Sequence, residues 1–121
     1  IINLLATPTL AVGDNEIQPR FTYIATVGAK LVIDDRTGVA TCTGSLQTYS
    51  SHKLKITCRL QRLNAGTWIT VSSWTEQVDN KLNLIITRSC IINPENQYRV
   101  SVFAYVYDGD TFLEATSKIT S

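Results

Sequence analysis

Few side chains in this sequence could carry chemistry, and their spacing limits what they can do. There is one histidine, His52, between two strand-like segments. A lone imidazole at a loop tip is solvated far more often than catalytic. A serine nucleophile would need to sit on a sharp turn beside it, and no Gly-x-Ser-x-Gly elbow occurs. Ser45, in Thr43-Gly44-Ser45, falls inside an alternating segment and reads as a surface hydroxyl. Paired carboxylates are few, and Asp34-Asp35 and Asp108-Gly109-Asp110 both sit in turns. The second group has the oxygen ligands of a calcium loop, but a plain hairpin turn accounts for it. Cys42, Cys58 and Cys90 match no metal spacing, and an odd count leaves one thiol over. They read as small buried hydrophobes, with a Cys42–Cys58 bridge as the alternative. No Gly-rich loop opens a helix, so no phosphate cradle is expected. The expectation is a protein that is not an enzyme, with no catalytic residue, cofactor or metal.

What remains is a surface. In the segment Gln97–Tyr107 the positions Val100, Val102, Ala104 and Val106 form one apolar side. Alternation then places Arg99, Ser101, Phe103, Tyr105 and Tyr107 on the other. Three rings in a row on the solvent side of a strand are unusual. A neighbouring strand offers Lys55, Thr57, Arg59 and Gln61 on its outward side. Rings bordered by Arg and Lys have the composition of a protein interface or a carbohydrate platform. The candidate binding face is therefore Arg59, Phe103, Tyr105 and Tyr107. Cross-strand pairing within the sheet, or cover by the N-terminal segment, would explain the same stripe without a ligand.

The elements that must hold this face are strands. Apolar residues recur every second position in short segments broken by turn residues, and no helical period persists. Seven segments follow: Phe21–Asp34, Val39–Thr48, Lys53–Leu63, Thr67–Thr75, Lys81–Ile91, Gln97–Tyr107 and Thr111–Ile119. Asp34–Gly38, Asn64-Ala65-Gly66 and Asp108-Gly109-Asp110 have hairpin-turn chemistry, and Pro94 marks a loop. The first segment is expected to break at Gly28, and Leu82, Leu84 and Ile86 are expected inward.

A chain of 121 residues with 44% hydrophobic and 17% charged residues is one domain able to bury its own core. The net charge of +1, without a basic run, argues against nucleic acid as partner. Residues 1–17 read as a leader remnant, linker or extra strand; Ile1–Val12 contains Pro8 and is too short to span a bilayer.

Asn96-Gln97-Tyr98-Arg99-Val100 resembles the tyrosine corner of immunoglobulin-like domains, although Val100 stands where antibody domains carry a cysteine. The reading is an all-β, immunoglobulin-like antiparallel β-sandwich of seven or eight strands over residues 18–121. The stretches PRFTYI, ATCTGSL, ITCRLQRLNAGTWITVSSW and YRVSVFAYVY resemble a family of small, uncharacterised secreted proteins of Gram-positive bacteria. That resemblance implies a signal peptide, a β-sandwich and no enzyme activity. It supplies no site residues. The expected role is a secreted or surface binding and adhesion module for a host or extracellular protein, immunoglobulin among them. A carbohydrate-binding sandwich is one alternative. A structural, self-assembling extracellular subunit, dimeric through an edge strand, is the other.

Overall fold

The computed structural model describes residues 21–120. They form five antiparallel strands and no helix: β1 (Ile24–Asp34), β2 (Val39–Asn64), β3 (Thr67–Ile91), β4 (Tyr98–Asp108) and β5 (Thr111–Ile119). The expectation of an all-β chain holds. The strand count differs, because β2 runs through the second and third expected segments and β3 through the fourth and fifth. The 25–26 residues of each strand pair almost throughout with the other, from Val39↔Ile91 to Asn64↔Thr67. Tyr49-Ser50-Ser51-His52 lacks apolar alternation and reads as a loop in the sequence. In the structure it stays extended, and the ladder is merely irregular between Gln47 and Leu54.

This irregularity bends the long hairpin. Its first half, with β1 alongside, faces its second half, which carries β4 and then β5. Even-numbered residues of β2 point inward on both sides of the bend: Ala40, Cys42 and Leu46, then Leu54, Ile56, Cys58 and Leu60. They meet Leu84 and Ile86 of β3 and Val100, Val102, Ala104 and Val106 of β4. Gly44 marks the closest approach. A Cβ there would lie 3.1 Å from Val102, 3.2 Å from Ile86 and 3.3 Å from Ile56. The curled sheet thus encloses one core between its two halves.

The turns follow the sequence chemistry. Gly38 and Gly66 take positive φ, and Ala65 joins Gly66 in a two-residue hairpin turn of the mirror-image type. The first strand does not break at Gly28, which pairs with Ser45. Leu82 is exposed rather than inward, at the bend where the β2–β3 register shifts. Tyr98 is half-buried and packs against the core. A tyrosine corner is held by a bond from the phenol hydroxyl to backbone a few residues upstream, and the Tyr98 hydroxyl forms no hydrogen bond among the described residues. The expected segment 1–17 lies outside the described residues.

Candidate functional site

The outward side of the second half of β2 carries Lys53, Lys55, Thr57, Arg59 and Gln61. Register places Tyr107 opposite Lys53, Tyr105 opposite Lys55, Phe103 opposite Thr57, Ser101 opposite Arg59 and Arg99 opposite Gln61. The structure therefore brings Arg59, Phe103, Tyr105 and Tyr107 onto one sheet face, all half-buried. On the far side of β4, Phe112, Ala115 and Ser117 continue the face. On the far side of β2, Gln77, Thr75, Ser73, Thr70 and Trp68 do so.

The rings are paired rather than bare. Lys55 Nζ lies 5.3 Å from the centre of the Tyr105 ring, directly across the ladder. The Arg59 guanidinium lies 5.0 Å over Phe103, one row away, and that of Arg99 lies 4.3 Å over Trp68. Tyr107 meets Phe112 edge to face at 5.9 Å. Such cation–ring contacts contribute about 0.5–1 kcal/mol each at exposed sites. Their larger consequence is to hold three long, flexible cations in place. Arg99 is held twice, because its Nε also donates to Gln61 Oε1 at 2.8 Å. Gln61 in turn donates to Thr70 Oγ1 at 3.2 Å, and Thr57 and Thr75 share a hydroxyl bond of 3.0 Å.

Charge on this face is one-sided. At the outward positions of the rows from Lys55 to Gln61 there is no Asp or Glu on β2, β3, β4 or β5; Glu76, opposite Ile56, lies on the other side of the sheet. The acid stands at the end of the face, where Asp110 lies 3.5 Å from Lys53. There Lys53, Gln77, Tyr107, Gly109 and Asp110 line a shallow notch.

Two strand bulges decide who belongs to this surface. Between Leu60↔Ser72 and Gln61↔Thr70 the extra residue Val71 reverses the alternation of β3 and turns Trp68 outward. Between Val106↔Glu114 and Tyr107↔Phe112 the extra residue Leu113 does the same in β5, bringing Phe112 onto the face. Parity alone missed Trp68 and Phe112. Register against β2 and β4 is the signal that places them, and it is not legible in one strand.

The other candidates are dispersed. His52 lies within β2, half-buried, edge-on to Tyr23 at 5.1 Å, with Nδ1 2.9 Å from the Ser50 carbonyl oxygen. All three cysteines are free. Burial pushes the Cys42 thiol up to about 12, with Cys58 and Cys90 adding to the effect. Burial pushes Cys58 to about 11, with Arg88 opposing. Among the described residues no group of three or more His, Cys, Asp or Glu side chains converges as a metal site. No protein-family model matches the chain, and no curated protein sequence matches it.

Proposed function

We propose that this chain is a secreted, non-enzymatic binding module that meets its extracellular ligand through the cation–aromatic face of β3, β2, β4 and β5. The observation that carries this reading is the row of preset pairs Lys55–Tyr105, Arg59–Phe103 and Arg99–Trp68 on one open sheet face. A face held in one conformation before contact loses less side-chain entropy on binding. Buried, protonated Cys42 and Cys58 suit an oxidising medium, since the thiolate is the reactive form.

The immunoglobulin-like reading of the fold belongs to the same proposal. Segments one, two and five pair together, and so do four, three, six and seven. An immunoglobulin constant domain divides its strands in nearly that way, except that its fourth strand lies beside the fifth. The proposal takes β2 and β3 as strands that pass from one layer to the other without a break.

The test compares capture of a ligand from serum or mucus by the wild type and by Tyr105→Ala. Loss of a central ring from a working interface costs about 2 kcal/mol or more of binding. The reading expects capture to fail while the melting curve stays nearly unchanged. Undiminished capture removes the face from the function.

A second reading, self-assembly, is favoured by β3. Among the described residues that strand pairs with β2 alone, and it carries Ile69, Val71, Leu82, Ile85 and Ile91, all exposed. An unpaired apolar edge is a template for another strand. Size-exclusion chromatography showing a monomer at high concentration would remove this reading.

A further inference from the structure

We infer that the ligand of the cation–aromatic face is an acidic polysaccharide, a glycan chain bearing carboxylate or sulfate groups. This inference rests on the proposed role of that face and adds the chemistry of what it takes. Three observations converge on it: the sign of the charge, the density of neutral hydrogen-bonding groups, and the notch at one end.

The sign comes first. Lys55, Arg59 and Arg99 stand on a sheet face whose outward positions in these rows carry no carboxylate; Glu76, opposite Ile56, points to the other side and pairs with Arg88. The chain as a whole is nearly neutral, at +1, so the acids lie elsewhere. Lys55 and Arg59 are four residues apart on one strand, roughly 13 Å. Arg59 and Arg99 stand in adjacent rows on neighbouring strands. The cations therefore form a track along the sheet, suited to charges that repeat along an extended polymer. The Arg59 N–H groups have no hydrogen-bond partner among the described residues, and Arg99 gives only its Nε–H, to Gln61. Guanidinium N–H groups bind carboxylate or sulfate oxygens in pairs.

The groups between the cations narrow the polymer class. Thr57, Thr75, Gln61, Thr70 and Gln77 fill the positions beside them; each side chain can donate and accept, and the first four spend part of that capacity on one another and on Arg99. Sugar hydroxyls also donate and accept at once. The core of a protein interface shares the rings and the arginines but is depleted of Lys and Ser. Single-stranded nucleic acid needs rings with free faces for its bases, and here three rings already have a cation over them.

The notch supplies the end of the track. Tyr107, Gln77, Lys53 and Asp110 line it together with Gly109, and the Lys53 ammonium lies 3.5 Å from the Asp110 carboxylate. An acceptor, a donor and a mixed group beside one aromatic ring form a seat for a single sugar ring. The apolar C–H side of the sugar lies on the tyrosine and its hydroxyls reach the three polar groups.

Titration calorimetry of the full chain tests this with heparin and polygalacturonate as acidic glycans, dextran as neutral glycan, poly-glutamate as acidic peptide, and a single-stranded oligothymidylate. The acidic glycans are expected to bind and dextran is not. Affinity is expected to fall as salt screens the cations. Arg59→Ala and Arg99→Ala are each expected to weaken binding roughly tenfold or more, with unchanged circular dichroism. Asp110→Asn is expected to weaken glycan binding but not the attraction of poly-glutamate. Equal binding of poly-glutamate or of the oligothymidylate overturns the glycan assignment, as does absence of binding to both acidic glycans. If serum or mucus capture still depends on Tyr105, the face survives as a binding surface for another ligand. If capture is independent of Tyr105, the face itself has failed.

Discussion

At the scale of single residues, one carboxylate does more for the fold than any other charged group described. Glu114 accepts hydrogen bonds from three successive backbone N–H groups, those of Thr22 at 2.8 Å, Tyr23 at 2.9 Å and Ile24 at 2.8 Å. It thereby ties β5 to the start of β1 across about ninety residues of chain. Two of those bonds are partly buried, and bonds to a charged acceptor contribute about 1.5–3 kcal/mol. Glu114→Ala is expected to destabilise the domain by about 2–3 kcal/mol in denaturant melts, with Glu114→Gln costing less. A variant as stable as the wild type would show the clasp to be incidental. Nothing in the sequence signals this residue, because its role depends on a bulge and on an N-terminal strand brought to it by the fold.

The cysteines also act at this scale. Cys42 and Cys58 are fully buried, and Cys90 is half-buried with its sulfur 3.9 Å from Ser72 Oγ. In the folded chain the first two thiols keep their protons well above their ordinary value of 9.0. Between that value and about 11, the unfolded chain has released protons that the folded chain retains. Stability is therefore whole below pH 9 and declines as pH rises beyond it. The denaturation midpoint is expected to drop over that window, and Cys42→Ala with Cys58→Ala is expected to flatten the drop. A thiol reagent at neutral pH is expected to label Cys90 first and the other two only on unfolding.

At the scale of elements, the long hairpin of β2 and β3 sets the architecture, and Gly44 is where its bend closes on the core. The three atoms that a new Cβ would meet come from β4, β3 and the other half of β2. One of them can shift by a few tenths of an ångström, but three on separate strands resist together. Gly44→Ala is expected to cost about 1–3 kcal/mol, the usual range for overpacking. A neutral or stabilising result would mean the two halves of the sheet can move apart at that point. The same strands show why the segments were legible and their number was not. Alternation marks every buried residue of β2 from Ala40 to Leu60, so the strand positions and the core can be read directly. The continuity across Tyr49–His52 comes from backbone pairing, which leaves no mark on side-chain pattern.

At the scale of the whole molecule, the aromatic stripe was legible because β4 keeps strict alternation from Val100 to Val106. The side it presents follows from that alone. What covers the rings did not follow, since Lys55, Arg59 and Arg99 reach them across ladders whose register only the assembled sheet fixes. This arrangement carries the final prediction, on how the face behaves when one cation is removed. If the pairs served stability alone, Arg59→Ala would cost the domain up to about 1 kcal/mol, the range for an exposed cation–ring pair, and change nothing else. If the face exists to meet acidic ligands, most of the penalty should appear in binding. Stability should then change by no more than that small amount while affinity for an acidic glycan falls by a larger factor. Arg59→Lys keeps the charge but not the planar fork, so it is expected to restore the melting temperature fully and affinity only in part. Full recovery of affinity by lysine would mean that the face reads charge without geometry. No loss of affinity in Arg59→Ala would leave the cation–ring pairs as sheet stabilisers and nothing more.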